Sequence, residues 1–89
     1  MTMHREPTHP GEIFLEEFLK PKEMTQRDAA AVMAISFNRL NEIVLGKRGV
    51  TADTALRFAK LTKTTPQFWL NLQNAVDLYH AEREMAGSR

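Results

Sequence analysis

TQRDAAAVMAISFNRLNEIVL, residues 25–45, reads as two short helices joined by a tight turn. The first runs from Gln26 to Met33, the turn is Ala34-Ile35-Ser36, and the second runs from Phe37 to Leu45. Counted from Gln26, Ala30 is fifth, Met33 eighth, Ile35 tenth, Leu40 fifteenth and Ile43 eighteenth. Two short helices that cross steeply need small or apolar side chains at these places, because little room is left between them. Ala30 permits the close approach. Ser36 is placed to cap the second helix by accepting a backbone N–H. A helical hairpin with a polar face would share this spacing. What sets the stretch apart is the outward set of the second helix: Phe37, Asn38, Arg39, Asn41 and Glu42. Asn suits the N6/N7 edge of adenine and Arg the O6/N7 edge of guanine, so the set has base- and phosphate-reading chemistry.

Charge around this stretch points the same way. The net charge is only +1. From Ser36 to Lys63, however, six basic residues (Arg39, Lys47, Arg48, Arg57, Lys60, Lys63) face two acids, Glu42 and Asp53. Residues 1–24 carry three basic residues against five acids. A cationic patch around a polar helix is an electrostatic footprint on DNA, although a solvated charged face would give the same count. Thr25, Gln26 and Arg27 open the first helix, where free N–H groups attract an anion, and are phosphate candidates. Gly46 can end the second helix in the left-handed conformation, leaving Lys47 and Arg48 on a tight loop beside the flanking phosphates.

The rest of the chain supplies supporting helices. Residues 1–9 are polar, hold His4 and His9, and read as an irregular arm ahead of a single domain at 10–86. Ile13, Phe14, Leu15, Phe18 and Leu19 form an apolar stripe on a helix that Pro21 stops; Glu12, Glu16 and Glu17 lie largely opposite. Thr51 opens a fourth helix, with Ala55, Leu56, Phe58, Ala59 and Leu61 directed to the core and Arg57 and Lys60 outward. Thr65 caps a fifth, with Pro66 in the first position. There Trp69, Leu72, Val76 and Tyr79 recur at intervals of three and four, and Phe68, Ala75 and Leu78 widen the stripe. That surface serves either the core or a second copy, so Phe68, Trp69, Leu72, Val76 and Tyr79 are the candidate dimer-interface residues. His80 reads as a surface residue.

Composition removes several classes. Eighty-nine residues make one domain. No Cys is present, so there is no disulfide framework and no thiolate metal site. His4 and His9 lack helical metal spacing and carboxylate companions, so no metal or other cofactor is expected. No activated nucleophile or phosphate loop supports an enzyme. Without a membrane span or a signal-peptide core, the default reading is cytoplasmic.

Four stretches together resemble one family: HPGEIFLEEFLKP at 9–21, MTQRDAA at 24–30, NRLNEIVLGKRGVTADTALRFAK at 38–60 and QFWLNLQ at 67–73. They are similar to the HigA-type antitoxins, the VapI branch of the Xre-type helix-turn-helix regulators, over nearly the whole chain. The resemblance implies an all-α, five-helix Xre/lambda-repressor-like domain with a C-terminal dimerisation helix. It implies a homodimer that binds operator double-stranded DNA in its own promoter. It also implies a RelE/HigB-like toxin partner, a small basic mRNA-cleaving ribonuclease that the chain neutralises. The acidic first helix, with Glu12, Glu16 and Glu17, is the expected toxin-binding surface. A stand-alone regulator, or an interaction module that does not touch DNA, are the competing readings. Three departures stand out. Ala34 replaces a frequent Gly, Leu45 a frequent Asn, and Lys63-Thr64-Thr65 a Gly-containing turn.

Overall fold

The computed structural model describes residues 5–87. Five helices follow one another, and no strand occurs among the described residues. Helix α1 begins as an α-helical turn, Pro10–Ile13, and continues as a π-helical stretch, Phe14–Leu19. Then come α2 (Gln26–Met33), α3 (Phe37–Val44), α4 (Ala52–Thr62) and α5 (Pro66–Gly87). Residues 5–9 carry no regular structure; His4 and the rest of the expected arm, residues 1–4, lie outside the described residues.

Each helix starts where a side chain satisfies an otherwise orphaned N–H. The Oγ1 of Thr25 accepts from Asp28 N at 3.0 Å, and the Oγ of Ser36 accepts from Arg39 N at 3.0 Å. Thr51 does the same for Thr54 N at 3.4 Å, and Thr65 for Phe68 N at 3.2 Å. For α1 the cap is the His9 imidazole, whose Nδ1 accepts from Gly11 N at 2.9 Å. A Cβ at Gly11 would run into the Ile43 carbonyl oxygen, so α1 starts in backbone contact with α3.

The π-helical stretch was not legible in the apolar stripe. Lys20 N donates to Leu15 O at 3.0 Å, five residues back. Under that periodicity residues five apart share a face. Phe14 and Leu19 are consequently both buried, at 0% and 1% exposure. The Phe14 and Phe58 rings stack 3.9 Å apart at 6°, and Trp69 meets Phe58 edge-on at 5.0 Å. The Trp69 indole N–H donates to Thr64 Oγ1 at 2.8 Å, which satisfies its one polar atom.

Four residues sit differently from expectation. Leu56, expected in the core, is 60% exposed, because α4 turns Ala55, Phe58 and Ala59 inward instead. Arg57, expected to face outward as a solvated charge or a distal phosphate contact, is half-buried. It donates to Asp53 Oδ2 at 3.0 Å and to Met33 O at 2.6 Å, tying α4 to the carbonyl end of α2. Trp69 and Val76, expected at a dimer interface, are 0% and 5% exposed within this one chain. Both are consumed by the core, which the short first four helices cannot close without α5. Leu72 is partly buried against the same core and Tyr79 is half-buried, while Phe68 is exposed.

Candidate nucleic-acid interface

The turn between α2 and α3 sets the geometry. Ala34 adopts φ 60°, ψ 41°, the left-handed conformation for which the frequent Gly would be suited. Its N–H and that of Ile35 return to the carbonyls of Ala31 and Ala30, closing α2. The departure to Ala therefore leaves the turn unchanged and stores strain there, costing roughly 1 kcal/mol. Lys63 repeats the pattern at φ 61° before α5.

Helix α3 is anchored by Leu40 and Ile43, both at 0% exposure. That fixes which residues face out. Asn38 is exposed and Asn41 half-exposed, and neither side chain makes a hydrogen bond among the described residues. Their amides are free to pair with an external donor–acceptor edge. Phe37 lies under the Arg27 guanidinium, whose carbon is 4.7 Å from the ring centroid. Such cation–π stacking joins the start of α3 to the start of α2. This contact packs Phe37 back on the domain while leaving it half-exposed.

Arg39 is held rather than free. One of its guanidinium nitrogens, Nη2, donates to Asp53 Oδ2 and to Thr54 Oγ1, both at 2.8 Å. The Arg57 and Arg39 guanidiniums together hold the Asp53 carboxyl below the usual carboxylate range. The remaining Arg39 N–H groups have no partner among the described residues. Arg39 is thus both a strut from α3 to α4 and a cation on the open face.

After α3, Gly46 takes φ 78°. Lys47 N and Arg48 N both return to Glu42 O, at 2.8 and 3.2 Å, so the loop folds over the end of the helix. Lys47 projects without an ion-pair partner among the described residues; Arg48 pairs with the Glu42 carboxylate at 2.7 Å. Thr25 and Ser36, expected on the DNA side, spend their side-chain oxygens on caps but remain exposed. Gln26 is half-buried, with its Oε1 enclosed and without a donor.

One residue that sequence reasoning missed is Gln73 on α5, 8% exposed. Its Oε1 accepts from Val50 N at 2.8 Å, and its Nε2 donates to Asp77 Oδ1 at 2.9 Å. A Gln between two core positions of a long helix was the signal available. Among the described residues, no group of three or more His, Asp or Glu converges in a way that could hold a metal ion. No described helix is long and apolar enough to cross a membrane.

Glu12, Glu16 and Glu17 are all exposed on α1, and Glu12 lines one hollow with Lys47 and Arg48. Glu16 pairs with Lys20 at 2.9 Å. His80 is exposed, as expected, and its Nε2 lies 3.0 Å from the Glu6 carboxylate, which fastens residues 5–9 to α5. Burial lowers the His9 pKa below the ordinary 6.5, against the opposing pull of Asp77, Glu6 and Glu12.

The helix-turn-helix family matches residues 15–69. Virulence-associated protein I of Dichelobacter nodosus is 47% identical over 76 residues, which is 85% of this chain and 70% of that protein. A solved addiction-module antidote protein of the HigA family from Coxiella burnetii is 46% identical with a TM-score of 0.85, covering 92% of this chain and 89% of that one. Antitoxin GraA, solved in complex with its operator, is 40% identical with a TM-score of 0.83, covering 100% of this chain and 94% of that one.

Proposed function

The chain belongs to the Xre-like helix-turn-helix family, in the group of the HigA-type antitoxins and VapI-type regulators, and on that premise we propose that it is an antitoxin that represses its own operon and neutralises a RelE/HigB-like ribonuclease. The observation that carries the DNA half is the exposed face of α3. Asn38 and Asn41 have unpaired amides there, and the cations of Arg39, Lys47 and Arg48 flank them. GraA, with the same fold, is solved on its operator.

In this reading α3 lies in the major groove. Asn38 and Asn41 reach base edges, and Arg39 uses its remaining donors on a base or the adjacent phosphate. Gln26, Arg27, Lys47 and Arg48 hold the backbone and fix register, with the exposed N-terminus of α2 facing a phosphate. A homodimer presents two such helices to half-sites about 34 Å apart. With Trp69 and Val76 spent on the core, the α5 surface left for a second copy centres on Phe68, Leu72 and Tyr79, with Leu78 added at 62% exposure. The exposed carboxylates of Glu12, Glu16 and Glu17 supply the surface for a basic toxin.

Binding to the chain's own upstream DNA, compared with a scrambled duplex across a salt series, tests the repressor reading. The expected result is two protected half-sites and a steep loss of affinity with salt. Equal, weak binding to both duplexes would leave sequestration of the toxin as the remaining role. Association with a small basic protein encoded beside this chain, slowed at low salt by charge reversal at Glu12, Glu16 and Glu17, tests the toxin surface. Unchanged association rates would remove that surface from the proposal, and the lack of any such neighbouring frame would favour a stand-alone regulator.

A further inference from the structure

Helix α5 lies outside the helix pair, yet one of its side chains grips the loop that carries Lys47 and Arg48. We infer that Gln73 is a positioning residue for DNA binding: its buried carboxamide sets the path of the Gly46–Val50 loop and so the placement of the two loop cations. The inference rests on the DNA-binding reading above and names the element that makes the loop competent.

Three observations converge on it. Val50 N donates to Gln73 Oε1 at 2.8 Å in a buried setting, across 23 residues of sequence. The carboxamide is itself oriented by donating to Asp77 Oδ1 at 2.9 Å, which fixes which end accepts. A Cβ at Gly49 would come within 3.2 Å of the Gln73 carboxamide carbon and nitrogen, so the loop backbone rests directly on this group. The other end of the loop is tied to α3 by Lys47 N and Arg48 N on Glu42 O. The loop is thus clamped at both ends, one clamp coming from the reading helix and the other from α5. Fixing the second clamp keeps Lys47 and Arg48 ordered before DNA arrives, and a cation placed in advance loses less freedom on contact.

The chemistry allows a test that separates position from packing. Gln73→Met keeps the volume and removes both hydrogen bonds. Q73E keeps an acceptor for Val50 N but sets a second carboxylate against Asp77. Q73E/D77N restores the pair with its polarity exchanged: the introduced carboxylate accepts from Val50 N and from the introduced amide. It also returns the net charge to that of the parent chain, so bulk attraction to DNA is the same.

Operator affinity is measured for these proteins across a salt series, with helix content checked by circular dichroism at the assay temperature. Hydrogen exchange of the Val50 amide is followed in parallel. The expected result for Q73M and Q73E is faster Val50 exchange and a shallower dependence of log affinity on log salt, by about one unit for each displaced cation. Q73E/D77N recovers both. Q73M should also cost no further affinity in a K47A/R48A background, because the residues it positions are gone.

An equal loss from Q73M with and without Lys47 and Arg48 overturns the inference, since the effect would then be general packing. So does an unshifted salt slope in Q73M while the parent chain binds its operator. If Q73M does not fold, the comparison of Q73E with Q73E/D77N decides: equal slopes in that pair overturn the positioning role. Absence of operator preference in the parent chain overturns this inference together with the DNA-binding reading, and so is told apart from failure of the inference alone.

Discussion

Arg39→Ala removes a side chain with two duties, and the two are measurable apart. Within the fold, Arg39 bonds Thr54 Oγ1 and Asp53 Oδ2, both at 2.8 Å. The Thr54 bond is the one that counts, because Thr54 is buried at 1% exposure. A hydrogen bond from a charged donor in such a place contributes about 1.5–3 kcal/mol. Thr54 Oγ1 keeps the Thr51 hydroxyl at 3.3 Å, so it is not orphaned and the loss stays near the lower figure. The Asp53 pair is open to water and adds little. For a domain of this size, each kcal/mol lost lowers Tm by roughly 4–8 °C. Toward DNA, loss of one base contact costs about 1–3 kcal/mol, a fall of roughly 5- to 150-fold in preference for the operator over scrambled duplex. The assay pairs thermal unfolding with titration of both duplexes at one salt concentration, run well below the variant's Tm. The expected outcome is a lower Tm and a reduced operator preference. A parental Tm refutes the strut. A lower Tm with unchanged operator preference refutes the base contact and leaves Arg39 as a support for α3. Arg39→Lys keeps the charge but not the planar fork, and should follow the Ala variant in preference more than in overall affinity.

Trp69→Ala should destabilise the domain by about 3–5 kcal/mol, because the indole is wholly buried against Phe14 and Phe58; a denaturant midpoint near the parental value would contradict this placement. Ala34→Gly and Lys63→Gly should each stabilise by up to about 1 kcal/mol, since both positions hold left-handed backbone, and unchanged or lowered Tm would show that the strain is absent in solution. The His9 cap needs an unprotonated Nδ1 to accept from Gly11 N. With its folded pKa lowered below 6.5, His9 contributes stability that is present above the unfolded pKa and is lost as pH falls through the folded one. His9→Asn, which caps without titrating, should flatten that part of the stability–pH curve; a curve identical to the parent's below pH 6.5 would count against the cap.

The helix-turn-helix was legible in residues 25–45 because it is built from local chemistry. Thr25 and Ser36 cap the helices they precede, and the small or apolar positions from Ala30 to Ile43 follow from two helices crossing at close range. The starts of α4 and α5 were legible for the same reason, at Thr51 and at Thr65-Pro66. Outward placement of Asn38 and Asn41 also followed from periodicity, since Leu40 and Ile43 had to face in. What periodicity could not supply was the partner across a long sequence separation. The stripe on α5 was compatible with a core or with a second copy. Only the aromatic cluster of Phe14, Phe58 and Trp69 assigned the indole to the core and left Phe68 outside. The π-helical register of Phe14–Leu19 was equally hidden, because it follows from fitting Phe14 and Leu19 to one cavity rather than from local preference. Arg39, Arg57 and Gln73 complete the contrast. Their residue types announce hydrogen bonding, but Thr54, Met33 O and Val50 N become their partners only when helices distant in sequence are packed together.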